Sequence, residues 1–181
     1  MPKLVYVTSN DHKLAEMQAI VGHEIERVDL DIPEIQSMDV RAVVKAKAET
    51  AFQFVQAPVV VEDVSFEVRA WNGFPGPLIK WVNQTITPAG IAQLMRQTKD
   101  RYVEAIALLD LYDGHEHLLF EGRLAGTIAD EARGESGFGF DVVFVPMGET
   151  RTFGEMTTEE KNKISHRALA LRKLKDWVNK E

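Results

Sequence analysis

The 181-residue chain contains no cysteine. That absence excludes disulfides, zinc–thiolate sites and thiol nucleophiles, and it is compatible with a cytoplasmic address. Long apolar runs are also missing. None approaches the roughly 20 residues needed to span a bilayer, so no membrane partner is expected. The start, Met1-Pro2-Lys3-Leu4-Val5, runs straight into a strand-like stretch and lacks the long apolar core of a signal peptide. There is no excess of positive charge. The net charge of −7 argues against a nucleic-acid partner, but it leaves room for one small anion in a local cationic pocket. The chain has no repeats, low-complexity tracts or linkers. It also lacks a Gly-Lys dipeptide, and hence a P-loop. The spacing of Gly134, Gly137 and Gly139 is not that of a dinucleotide-binding loop, and there is no serine-hydrolase elbow.

What is present suits one domain over residues 1–181, with enough apolar residues (45%) for a real core and room for two lobes around a cleft. Leu4 to Val7 reads as a short buried strand. Thr8-Ser9-Asn10 supplies capping residues for a helix from about Asp11 to Val21. Ile25 to Leu30 reads as a strand and Asp31 to Glu34 as a loop. Val40 to Val55 reads as a helix whose apolar stripe is Val40, Val44, Ala48, Ala51 and Val55. Val59 to Val61 is a buried strand that ends at Glu62-Asp63, and Val64, Phe66 and Val68 alternate as a second stretch. A constrained loop with Gly73, Pro75, Gly76 and Pro77 leads into a short helix, and Pro88 to Gln97 reads as another. Asp113-Gly114 signals a hairpin between Tyr102–Tyr112 and His115–Glu121. Leu124 to Ala129 and Val142 to Val145 read as strands around the glycine-rich loop Gly134 to Gly139. Ser165 opens a final helix to about Asn179. Early alternation of helices and strands with a late hairpin predicts an α/β fold with a mixed sheet.

Three helices carry a cation on the apolar side. At about 100° per residue, Lys13 falls within the arc of Leu14, Met17, Ile20 and Val21. Lys47 falls near the centre of the arc of Val40, Val43, Val44 and Ala51, and Arg167 within that of Ala170, Leu171, Leu174, Trp177 and Val178. A buried cation is costly unless paired. Snorkelling at a helix end or an internal salt bridge accounts for any one of them. Three on separate helices point instead to a polyanion shared between the helices, and Lys13 and Arg167 lie in first turns, where backbone N–H groups favour anions. A triphosphate fits.

Glu62-Asp63, taken alone, reads as a solvated turn; beside a cleft, acids at a strand end hold a hard cation or act as a base. Glu34, behind Pro33, is a candidate second ligand. Carboxylates without cysteine or a histidine-rich pair suit Mg²⁺ or Mn²⁺ rather than Zn²⁺. His115-Glu116-His117 follows the hairpin turn and reads as an exposed strand with both histidines on one face.

Five segments now stand in order: Thr8-Ser9-Asn10-Asp11-His12-Lys13-Leu14-Ala15-Glu16, Val61-Glu62-Asp63, Gly73-Phe74-Pro75-Gly76-Pro77-Leu78-Ile79-Lys80-Trp81, Gly137-Phe138-Gly139-Phe140-Asp141 and Glu160-Lys161-Asn162-Lys163-Ile164-Ser165-His166-Arg167. Together they resemble the inosine triphosphate pyrophosphatase family over nearly the whole chain, and its eukaryotic and archaeal branch more than the common bacterial one. The resemblance implies an α/β fold with a long mixed central sheet flanked by helices, two lobes with an active-site groove between them, and a homodimer. It implies hydrolysis of ITP, dITP or XTP to the monophosphate and pyrophosphate. Lys13, Lys47 and Lys80 would hold phosphates, wrapped by Thr8, Ser9, Asn10, Asp11 and His12. Glu34 and Asp63 would bind Mg²⁺, with Asp63 acting on the attacking water. Phe138, Gly139, Phe140, Asp141, Lys161, His166 and Arg167 would line the base pocket. Two departures stand out: Val64 and Ser65 follow the acid pair where many relatives have Asp or Thr, and Phe140 replaces the usual Tyr or Trp. The competing readings are a pyrophosphatase of the same architecture for other modified or pyrimidine nucleotides, and a catalytically silent nucleotide-binding protein.

Overall fold

The computed structural model describes residues 4–22 and 25–180, so the expectation for Met1 to Lys3 lies outside the described residues. In chain order the elements are β1 (Leu4–Val7), α1 (Asp11–Val21), β2 (Ile25–Val28), α2 (Val40–Val55), β3 (Val59–Val68), β4 (Pro75–Gly76), α3 (Ile79–Thr85), α4 (Thr87–Leu94), β5 (Tyr102–Tyr112), β6 (His117–Ile128), β7 (Phe144–Pro146), α5 (Thr158–Ile164) and α6 (His166–Val178). Short 3₁₀ turns cover Arg69–Trp71, Gly139–Val142 and Phe153–Glu155. The seven strands form one mixed sheet in the order β2-β1-β3-β5-β6-β7, with β4 on the far end of β3. β1 runs parallel to β2 and β3, and the remaining pairs are antiparallel.

Strand alternation sorts the core. Val5, Val7, Val59, Val61 and Leu108 face α2 and meet Val44, Ala48 and Ala51. Leu4, Tyr6, Val60 and Leu109 face the other way, against Met17 of α1 and Leu171 and Leu174 of α6. Each fully buried branched aliphatic side chain contributes about 1.5–3 kcal/mol to this packing. Further along the same face, Phe66, Val68, Val103 and Ala105 meet α3, α4 and the aromatic group Phe140, Phe144 and Phe153. Val64 touches both apolar clusters on that face, and Glu62 lies between Val60 and Val64 on the strand. A charge therefore sits on the seam between two clusters.

Two expectations need correction, and one helix adds to them. The two stretches around Glu62-Asp63 are one ten-residue strand, because both acids pair in register with Leu109 and Leu108 of β5 and are buried rather than solvated. Likewise, one strand, β6, covers both stretches expected after the hairpin turn. His115 belongs to that turn, whereas His117 opens the strand and meets buried Asp110 through Nδ1 at 2.7 Å. Helix α5 was not anticipated. It begins with a reciprocal cap in which Thr157 and Glu160 each accept the other's backbone N–H, a Thr-x-x-Glu pattern visible in the sequence.

Two glycines fix the site's framework. A Cβ at Gly122 would lie 1.9 Å from the carbonyl oxygen of His166, so glycine there lets β6 close on the start of α6. Gly137 has φ 76°, and a Cβ would collide with the Asp141 carboxylate at 2.1 Å.

Candidate active site

A cavity of about 630 Å³, a volume that suits a small organic ligand, is lined by seven segments. The β1–α1 turn gives Thr8, Ser9, Asn10 and Lys13; the loop after β2 gives Glu34; α2 gives Lys47; β3 gives Glu62 and Asp63. From the other side come Lys80 and Asn83 of α3, Phe138 to Asp141, and His166 and Arg167 at the start of α6. Asp11, His12 and Lys161 are expected site residues that do not line it. Asp11 turns away to Arg27 at 2.6 Å, His12 stacks on Phe138, and Lys161 lies behind the wall, 2.7 Å from Asp141 and 3.3 Å from Glu16.

Asn10 builds the turn that presents Lys13. Its side-chain oxygen accepts the N–H groups of His12 at 3.0 Å and Lys13 at 3.1 Å, capping α1. Lys13 reaches across to β3, 3.2 Å from the Glu62 carboxylate. Burial lowers the Lys13 pKa, Glu62 opposes that shift, and Arg167 and Lys47 add to it. Lys47 comes from α2, donating to Glu34 at 2.6 Å and to the Glu62 carbonyl at 3.4 Å. Burial works against the charge of Glu34, but Lys47 overcomes it and holds that carboxyl below its ordinary range.

Adjacent positions on β3 point to opposite faces, so Glu62 and Asp63 meet different surroundings. Glu62 accepts from Arg167 Nε at 2.9 and 3.0 Å, from Arg167 Nη2 at 2.9 Å and from the Tyr6 hydroxyl at 3.0 Å. Burial alone would raise its pKa; Arg167 and Lys13 more than reverse this and hold it well below the carboxylate range. Arg167 Nη1 donates to Glu16 at 2.7 Å. Glu16 and Tyr6 are buried members of this network that the sequence reading missed, although Glu16 stands beside Lys13 on the same helical arc. Burial disfavours the arginine's charge, yet Glu62 and Glu16 raise its pKa further.

Asp63 is different. Its Oδ2 is buried with no hydrogen-bond partner among the described residues. Burial pushes its pKa up to about 6; Lys13 and Lys47 hold it down, and Glu34 and Glu62 add to the rise. A carboxylate held near neutrality inside a cavity can take a proton or accept a cation.

The opposite end of the cavity is aromatic. Phe140 stacks on Phe66 with centroids 4.3 Å apart and lies 5.7 Å from the ring of His166. His166 is buried and its Nδ1 has no partner among the described residues. Burial, helped by Arg167 and Lys161, lowers its pKa well below the ordinary histidine value and keeps the ring neutral. The cavity thus joins a lysine-rich end to a flat apolar end edged by polar atoms. Among the described residues there is no cluster of three or more histidine or acidic side chains arranged to hold a metal. The lining carboxylates are Asp31, Glu34, Glu62, Asp63 and Asp141; Arg167 holds Glu62 and Lys161 holds Asp141, while Glu34 and Asp63 lie near each other beside Lys13 and Lys47.

The model of the Ham1 family matches residues 4–177. A dITP/XTP pyrophosphatase from Methanopyrus kandleri is 40% identical over 179 residues, covering 97% of this chain and 95% of that one. Inosine triphosphate pyrophosphatase 2 from Trypanosoma cruzi is 43% identical over 177 residues, covering 96% and 90%. The solved structure of a HAM1 protein from Coxiella burnetii superposes with a TM-score of 0.88 at 29% identity, over 100% of both chains.

Proposed function

The chain belongs to the Ham1 family, and we propose that it hydrolyses the non-standard purine nucleoside triphosphates ITP, dITP and XTP to the nucleoside monophosphate and pyrophosphate, clearing deaminated purines from the nucleotide pool. The observation that carries this reading is Asp63, a buried carboxylate whose Oδ2 has no partner among the described residues, set near two lysines in a cavity with an aromatic far end. The names of the relatives supply the substrate class.

In this proposal the triphosphate runs past Lys13, Lys47 and Lys80, with Thr8, Ser9 and Asn10 of the β1–α1 turn beside it. Phosphoryl transfer needs alignment and charge neutralisation more than covalent help from the protein. Asp63 orients a water and takes its proton as the water oxygen bonds to the α-phosphorus. The bond from that phosphorus to the bridging oxygen breaks, and pyrophosphate leaves with its charge offset by the lysines. With no cation bound, a pKa of about 6 leaves Asp63 able to take a proton near neutral pH, and a bound cation would lower it.

Mg²⁺, or Mn²⁺ in its place, is the proposed cofactor, held by Glu34 and Asp63. The unpartnered Asp63 oxygen fits that role, and Mg²⁺ is commonly bound by one or two carboxylates, with waters and substrate phosphates completing its shell. When bound, the ion would neutralise phosphate charge and make a coordinated water more acidic.

Arg167 Nε, Nη1 and Nη2 each donate to Glu62 or Glu16, but Nη1 and Nη2 each carry a second N–H, so the donors within reach of a 6-oxo purine are Arg167, His166 Nδ1 and the backbone N–H groups of Phe138 to Asp141. Adenine, with an amino group there, would leave that donor unpaired, a difference that can amount to orders of magnitude in selectivity. A homodimer in the cytoplasm completes the proposal, resting on the family resemblance and the cysteine-free composition; sedimentation velocity and cell fractionation test it. The reaction is tested by pyrophosphate release from ITP, dITP, XTP, ATP, GTP and UTP with and without Mg²⁺. Release from the first three, dependent on the ion, is expected. A preference for UTP or ATP would overturn the substrate class, and no release from any would overturn the activity.

A further inference from the structure

His12 has no place in the lining of the cavity, yet its ring is not idle. It stacks on Phe138 with ring centroids 4.9 Å apart and planes 17° apart. The two residues come from opposite sides of the cavity. His12 stands in the first turn of α1, pinned by its own N–H to Asn10, and the next residue, Lys13, reaches the acidic strand at 3.2 Å. Asp11, just before it, is held outward by Arg27. Phe138 precedes the turn Gly139–Val142 and lines the aromatic end.

Phe138 is held from several directions. Its N–H donates to Asp141 Oδ2 at 2.8 Å, and Asp141 in turn holds Lys161. Lys161 Nζ lies 4.8 Å and Arg167 Cζ 5.2 Å from the centre of the phenyl ring, in range of a cation–π contact. These cations are themselves tied to α1 through Glu16. The imidazole adds a direct bridge from the outer end of α1, so the turn that presents Lys13 and the wall at Phe138 cannot shift independently without breaking the stack.

We propose that His12 is a positioning residue that acts through Phe138, fixing the aromatic wall against the turn at the phosphate end and so coupling the two halves of nucleotide recognition. It is not itself a phosphate ligand. The inference rests on the function proposed above, because it needs a ligand with both a base and a triphosphate. Stacking, not charge, carries the effect, so a phenyl ring at position 12 replaces the imidazole.

The test is calorimetry with two probes, each with Mg²⁺: the α,β-methylene analogue of ITP, whose α–β bridge resists hydrolysis, and inorganic triphosphate. For His12→Ala, affinity for the analogue falls about 2- to 12-fold, the factor equivalent to an aromatic pair of about 0.5–1.5 kcal/mol, while affinity for inorganic triphosphate stays within about twofold. His12→Phe restores the analogue's affinity. Equal weakening of both probes would make His12 a phosphate ligand and overturn the proposal. So would unchanged binding of the analogue to His12→Ala, or failure of His12→Phe to restore it. A wild-type chain that binds neither probe would instead overturn the proposed function, so the two failures are told apart.

Discussion

The two ends of the cavity use charge in opposite ways. At the start of α6, Arg167 is buried between Glu62 and Glu16, and the side chains of all three are at most 8% exposed. Lys161 is likewise closed off by Asp141 and Glu16. Across the strand, Asp63 is buried with one oxygen that has no partner among the described residues, and Lys47 and Glu34 form a pair that water still reaches. A network of buried, mutually paired charges fixes geometry first. An unsaturated one costs stability and remains available for chemistry. The contrast separates the residues that build the site from those proposed to act in it.

The largest effect should come from breaking the saturated end. Arg167→Met leaves Glu62 and Glu16 buried without their cation, and is expected to destabilise the fold by about 3–5 kcal/mol in urea denaturation. A loss below about 1 kcal/mol, the level of an exposed surface pair, would show that the network is not structural and would erase the contrast.

The opposite sign is expected at Asp63. Its pKa of about 6 in the folded state lies above its ordinary value of 3.8, so the folded chain binds that proton more tightly than the unfolded chain. Its contribution to stability is complete below about pH 3.8 and is lost as pH rises through about 6. Asp63→Asn should therefore be more stable than the wild type at pH 8, by about 1–3 kcal/mol, and the difference should vanish near pH 4. Thermal denaturation of both proteins at the two pH values reads this. A variant less stable at pH 8 would mean that the carboxylate is satisfied after all.

The smallest structural effect is expected at Lys47, whose partner Glu34 is one-third exposed. Lys47→Met should change stability by less than about 1 kcal/mol. Losing a charged hydrogen bond of about 1.5 kcal/mol weakens inorganic triphosphate binding by about tenfold. If the variant unfolds instead, Lys47 belongs with Arg167 on the structural side.

The sequence read α1 and α2 to their final residues because both have a side-chain cap and a clear apolar stripe. β3 read as broken because two adjacent acids look like a strand end. What buries them comes from far away: Arg167 is 105 positions beyond Glu62, and no local pattern announces that pairing. The misplaced cations were visible in the helical arcs, but their partners were not. Lys13, Lys47 and Arg167 all line the cavity, and Arg167 is in addition tied between two buried carboxylates, Glu62 and Glu16, that lie far from it in sequence. His12 stood within the phosphate turn in sequence, and its stack on Phe138 depends on a contact 126 residues away in number, from 12 to 138. The missed helix α5 is the exception, since its capping pair is local and legible.

The most direct test of the central claim is pyrophosphate release from ITP with Mg²⁺ by Asp63→Asn beside the wild type. Release slowed by at least about a hundredfold, in a protein that melts no lower than the wild type, is the predicted result. Release near the wild-type rate from a folded variant would contradict it and move the chemistry away from Asp63.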